Sequence, residues 1–269
     1  MIKSIKTIQS TDKEKYKVPK KVQDVIPIKR IWPDGIFQVG SKFVKSWKFA
    51  DINYLVASRE DKESMFLTYS ELLNSLDSGA TTKITINNHR MKKADFEESV
   101  LMPLKCDGLD DYRREYNQML LDKAMDANGI TQEKYITVTV AKKNIEDARA
   151  YFARTGAELS QHLTALGSRC IEMTAVDRLR ALHDFYRSGE ENAFAFNLKD
   201  NMRKGHCFRD YICPDSIEKH ADFLRLGEKY ARVLYLKDYA SYIKDSMVAE
   251  LTDMNRNMML SIDVIPVPT

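Results

Sequence analysis

The chain has 269 residues, 43% hydrophobic and 30% charged, with 42 lysines and arginines against 39 aspartates and glutamates and a formal net charge of +3. That composition is globular; the length suits one large domain or two small ones, burying roughly 70–75% of the unfolded surface, and the charge alone makes no case for nucleic acid or an acidic substrate. Four scattered cysteines (Cys106, Cys170, Cys207, Cys213) exclude a disulfide framework and favour a reducing cytoplasm, while no run nears the ~18 apolar residues of a membrane span and the N-terminus lacks a signal-like stretch.

Residues 1–24 carry seven lysines and few bulky apolar groups, which predicts a mobile basic tail. Such a tail could touch anionic lipid or nucleic acid; the plainer reading is a solvated leader. From Val25 the pattern tightens. Trp32-Pro33-Asp34-Gly35 is turn chemistry, and Ile36–Val39 and Phe43–Phe49 read as two strands joined around Gly40-Ser41. Ser58, with Asp61 three residues on, caps a helix whose stripe is Met65, Phe66, Tyr69, Leu72, Leu73 and Leu76. Thr81–Ile86 alternates as a strand, 90–110 is charged and irregular, and Tyr112, Tyr116, Met119, Leu120 and Lys123 suggest a helix stopped by Asn128-Gly129.

The clearest strand is KYITVTV at 134–140, β-branched or aromatic after its lysine. Asn144 then caps a long helix with Ala148, Phe152, Thr155, Leu159, Leu163 and Leu166 at helical spacing, closed by Gly167. RCIEM (169–173) is a short strand, and Thr174 with Asp177 opens a helix bearing Leu179, Leu182, Phe185 and Tyr186. The stretch 188–210 breaks this rhythm and reads as a linker or long loop between a first α+β subdomain (25–187) and a second unit (211–269). The fold class is α+β: a mixed or antiparallel sheet with packed helices and two hairpin–helix–strand units.

One segment imitates a nucleotide site. Gly35, Gly40, Ser41 and Lys42 give G-x-x-x-x-G-S-K, one swap from the phosphate-cradling G-x-x-x-x-G-K-[ST]. A phosphate loop needs a helix start after its lysine, but FVKSWKFAD alternates like a strand. Moreover, 222–238 repeats 35–51 at a constant offset of 187 residues, matching Gly40 with Gly227, Lys42 with Lys229 and Asp51 with Asp238. Phe43, Lys45, Trp47 and Phe49 align with Tyr230, Arg232, Leu234 and Leu236, which predicts the same strand face in both copies. A helix (Ile243, Met247, Val248, Leu251) and the strand MMLSIDVIPV (258–267) follow the second copy. Both glycines are read as hairpin turns.

Other chemistry is weighed and set aside. His206, Cys207, Cys213 and His220 crowd together, but C-x5-C is wider than a zinc knuckle's gap, so they read as small buried cysteines beside surface histidines. His162 and His183 lie on amphipathic helices without a nucleophile signature and read as core-edge or surface groups. Lys42, Lys45 and Lys48 with Trp47 would suit single-stranded nucleic acid, the alternative function; the plainer reading is solubilising lysines at a half-exposed edge. Glu97-Glu98 and Asp110-Asp111 read as solvated charge runs, and Met254, Met258 and Met259 as fillers of core gaps. No catalytic, cofactor-binding or metal residue is assigned.

Taken in order, the chain resembles the N-terminal region of conjugation-type (type IV) secretion ATPases of the TraC/TrbE/CagE class. The likeness rests on five segments: GIFQVGSKFVKSWKFADINY; SMFLTYSELLNSLD leading into TKITINNHR; the long stretch from YFARTGAELSQHL to RLRALHDFYR; YICPDSIEKHADFLRLGEKYARVLYLKDY; and LSIDVIPVPT. It covers roughly 25–269, in patterns rather than catalytic signatures. The resemblance implies a non-catalytic N-terminal docking and assembly domain. That domain would link a motor to the inner-membrane components of a secretion channel and contribute to a hexamer in DNA transfer. It also implies that ATP and magnesium belong to a RecA-like motor expected beyond Thr269, with no cofactor here, and a cytoplasmic place on the inner face of the cell membrane.

Overall fold

Period-two alternation builds the centre of the molecule. In 134–140 Ile136, Val138 and Val140 point to one face while Tyr135, Thr137 and Thr139 point to the other. The structure, a computed structural model, describes residues 19–54, 56–90, 97–98, 100–126, 130–238, 242 and 245–265. Its main sheet contains β1 (Ile28–Ile31), β2 (Phe37–Val39), β3 (Lys42–Phe49), β4 (Ala80–Arg90), β5 (Ile130–Ala141), β6 (Cys170–Glu172) and β10 (Met258–Val264). Their order is β1-β2-β3-β5-β4-β10, with β6 paired to the end of β3, and every pairing is antiparallel. The α+β class with an antiparallel sheet and packed helices is therefore what the chain adopts.

One sheet face carries the larger core. Phe43, Trp47, Ile136, Val138 and Val140 meet α1 (Arg59–Asn74) through Leu72, and α3 (Ile145–Ala165) through Ala148, Phe152, Leu159 and Leu163. The caps act as expected: Ser58 accepts from the Asp61 amide, Asn144 from the Asp147 amide, and Thr174 and Asp177 form a reciprocal capping box on α4 (Ala175–Tyr186). Of the α1 stripe, only Leu72 is buried within the helix, and Phe66 and Tyr69 lie exposed.

The opposite face carries a smaller core of Ile26, Ile28, Phe37, Ala175, Leu179, Phe196 and Ile212. The stretch 188–210, expected as a loop, contributes to it: α5 (Leu198–Lys204) lies there, and Phe196 is buried beside Tyr211. Val22–Val25 forms a single 3-10 turn at the end of the basic leader, most of which falls outside the described residues, as do Asn128-Gly129 and Ile243.

The second hairpin stands apart. β7 (Ile217–Lys219), β8 (Leu224–Leu226) and β9 (Lys229–Ala231) form their own three-stranded sheet, while β10 returns to the main sheet beside β4. Before β10, α6 (Asp245–Thr252) ends on the Asn88 side chain, which donates to Thr252 O at 2.6 Å and Met254 O at 3.3 Å. Met254 is itself exposed rather than a core filler. The remaining helix, α2 (Asp110–Asp126), lies in the long connection between β4 and β5.

Candidate interaction surface

The glycine-rich imitation is a hairpin. Gly40-Ser41 is the two-residue loop between paired Val39 and Lys42, and Gly227-Glu228 is the same between Leu226 and Lys229. The glycines sit at φ +62° and +58°, the left-handed region that such loops demand. β3 starts directly at Lys42, so no helix dipole faces the loop. Gly35 has a different reason: at φ +77°, a Cβ built on it would lie 1.9 Å from the Met173 carbonyl oxygen.

The lysine-rich segment is not an open clamp either. β3 is an interior strand: Lys45 is buried and bonds Glu172 at 2.8 Å, and Lys48 reaches Glu133 at 2.5 Å. Trp47, the ring a base would stack on, is 1% exposed beneath α3, where Gly156 gives its indole room. This corrects the expectation of edge lysines, and leaves Lys42 as the exposed one of the three.

Register also assembles a polar cluster that spacing did not reveal. Pairing of β4 with β5 places Asn87 opposite Glu133 and Thr85 opposite Tyr135, on the sheet face away from the larger core. The Tyr135 hydroxyl donates to Glu133, and His89 Nε2 stands 3.4 Å from the same carboxylate, an ion pair rather than an aligned hydrogen bond. His89 Nδ1 lies 3.0 Å from Arg90 O and so donates, leaving Nε2 bare toward a carboxylate unless it too is protonated. Burial pushes this imidazole down, but the nearby Glu133 carboxylate outweighs it, and the net shift is upward. Burial opposes ionisation of Glu133, yet His89, Lys48 and Tyr135 hold its carboxyl well below the usual range. Desolvation and the Glu133 charge raise Tyr135. The alternation of Thr85, Asn87 and His89 in TTKITINNHR gives one side of the cluster, and Glu133 and Tyr135 join it only through the β4–β5 register.

The remaining candidates disperse. Cys207 is exposed, Cys213 is buried in the smaller core with its thiol pushed up to about 11, and His220 stacks on Phe223 with ring centres 4.4 Å apart. His183, expected at a core edge or surface, is buried with Nδ1 3.0 Å from Asp184 Oδ1. Among the described residues, no group of three or more His, Cys, Asp or Glu side chains is placed to hold a metal ion. A shallow cleft of about 430 Å³ lies between Lys21, Gln23, Arg187 and Asp210. Among the described residues no helix is long and apolar enough to cross a membrane.

Besides the exposed Phe66, Leu67 and Tyr69 of α1, two uncovered apolar elements stand out among the described residues. The first is an arm formed by residues 100–126. Its shape comes from its own polar bonds: Asp110 accepts from the Lys105 and Cys106 amides at 3.0 and 2.8 Å, so it does more than solvate. Arg113 forks onto Asp107 and Asp110, and Asn117 both accepts from and donates to the Met102 backbone, at 2.8 and 2.9 Å. Arg113 holds the Asp107 carboxyl down to about 2, and the Lys105 amide with Arg113 lowers Asp110. Yet no described side chain of α2 is buried: Tyr112 is 71% exposed, and Leu109, Tyr116 and Met119 are exposed with it. The helix was legible as a stripe; that the stripe faces outward was not.

The second element continues β9. Positions 230–236 align with 43–49, which lie inside the main sheet, but Val233, Leu234 and Tyr235 are 76–81% exposed. β9 stops at Ala231, so the expectation of one shared strand face in both copies fails beyond that residue. No family model matches the chain, and no curated protein is significantly similar to it.

Proposed function

We propose that this chain is a non-catalytic docking and assembly domain of a conjugation-type (type IV) secretion ATPase, joining a motor to the inner-membrane components of its channel. One observation carries the reading: the arm is ordered by its own clamps while Leu109, Tyr112, Tyr116 and Met119 stay uncovered. An ordered apolar stripe at helical spacing suits a groove on another protein. The five segments of resemblance supply the class of partner. On this reading, nucleotide chemistry and the hexamer belong to the parent ATPase, ATP and magnesium to its motor, and the domain sits peripherally at the inner face of the membrane.

The test is co-purification with co-expressed inner-membrane channel components. Tyr112→Asp with Tyr116→Asp should weaken capture about tenfold or more, as loss of interface aromatics does. The unfolding midpoint should not move, since both rings are exposed. Undiminished capture by a folded variant would reject the arm as the docking site.

A further inference from the structure

We infer that residues 232–238 pair with the same segment of a second copy of this chain, forming an antiparallel two-stranded seam about a two-fold at Tyr235. The docking proposal does not require this contact, and the contact does not require the arm.

The three-stranded sheet has β8 in the middle, so β9 is an edge. The chain runs on past Ala231 through 232–237 with no backbone hydrogen bond to another described residue. Val233, Leu234, Tyr235 and Leu236 make that run apolar, and all four are exposed. An apolar segment whose amides and carbonyls lack ladder partners is a template for another strand. The internal repeat says what is missing. In the first copy, Phe43 to Phe49 is paired along its length by β5, and Phe43 through Trp47 are buried. In the second copy no strand among the described residues takes the place of β5.

Self-complementarity selects the occupant. With the two-fold at Tyr235, Arg232 of one copy lies opposite Asp238 of the other, Leu234 opposite Leu236, and Tyr235 opposite itself. Residues directly opposite share a face, so both charge pairs and both leucine pairs meet. Moving the two-fold to Val233 sets Lys229 against Lys237 and Glu228 against Asp238, both repulsive. Moving it to Leu234 sets Arg232 against Leu236 and faces no opposite charges. Of these three registers only the one centred on Tyr235 pairs opposite charges, with Val233 opposite Lys237 as its one mismatched pair.

The experiment is sedimentation equilibrium of the full 269-residue chain over a micromolar concentration series. The wild type should show a monomer–dimer equilibrium. Arg232→Asp and Asp238→Arg should each weaken it about tenfold, because the two-fold doubles each substitution. Mixing the two variants should restore association to near the wild-type constant. In the mixed dimer the carboxylate introduced at position 232 of one chain faces the guanidinium introduced at position 238 of the other, and the native Asp238 faces the native Arg232. Leu234→Lys should leave monomer, whereas the Tyr112/Tyr116 variant should dimerise normally. A monomeric wild type, or single variants that do not complement on mixing, would overturn the inference. Loss of channel capture with dimerisation intact would bear on the arm alone.

Discussion

Gly35 and Gly40 give the sharpest test of the local physics, because a phosphate-loop reading and the hairpin reading rank them differently. Gly35 combines φ +77° with a site where a Cβ would sit 1.9 Å from the Met173 carbonyl oxygen. Its own carbonyl, with that of Val44, accepts from Arg178 Nη1 at 2.9 and 2.8 Å, so the backbone cannot slide away freely. Gly35→Ala should therefore cost about 1–2 kcal/mol for the left-handed backbone plus about 1–3 kcal/mol for overpacking. Gly40 has φ +62°, but a Cβ added there would meet nothing within 4 Å, so Gly40→Ala carries only the backbone cost. Asparagine separates the two effects. It tolerates the left-handed region, so Gly40→Asn should be nearly neutral, whereas Gly35→Asn keeps the clash and should remain as damaging as alanine. Urea unfolding followed by far-UV circular dichroism reads the difference as a shift in midpoint at constant slope. The thermal equivalent for Gly35→Ala is a fall of roughly 5–15 °C. Equal effects at the two glycines, or rescue of position 35 by asparagine, would refute the reasoning.

Three further outcomes follow from the same geometry. His89 has a raised pKa, so its pairing with Glu133 stabilises the fold fully below the unfolded value near 6.5 and is lost as pH rises through the folded one; His89→Gln should remove that decline from a stability–pH curve and leave the acid limb. Glu172→Ala strands the buried Lys45 ammonium and should cost about 1–3 kcal/mol, while Lys45→Met, which removes the ammonium and keeps an apolar stem of similar length, should cost less in the same unfolding assay. Arg113→Gln removes the fork onto Asp107 and Asp110, so amide exchange at Lys105 and Cys106 should accelerate while the global midpoint stays put; unchanged exchange would mean that the arm is not held by these bonds.

What the sequence made legible was local. Ser58, Asn144 and Thr174 announced their helices because a side-chain oxygen three residues from an amide is a short-range signal. Gly40 and Gly227 announced hairpins for a similar reason, since two-residue loops demand positive φ. The strand β4 runs to Arg90 instead of Ile86, because pairing with 130–133 overrides the poor strand preference of Asn87 and Asn88. β1 escaped notice, being four residues with two exposed charges in its middle. Exposure was the hardest property to read. A stripe at 112, 116 and 119 has the same period whether it meets the core or another protein, and an apolar repeat copy looks buried even when its partner strand is missing. The polar cluster around Glu133 needed the register itself, because His89 and Glu133 lie far apart in sequence and meet only across β4 and β5.

Site-specific photocrosslinking inside cells engaged in conjugative transfer tests the docking account most directly. A photoreactive phenylalanine analogue at position 116, on the arm, is compared with one at the exposed Arg154 on α3. The account predicts adducts to an inner-membrane channel subunit from position 116 and none from 154. Transfer continuing without any adduct at 116, or identical adducts from both positions, would contradict it.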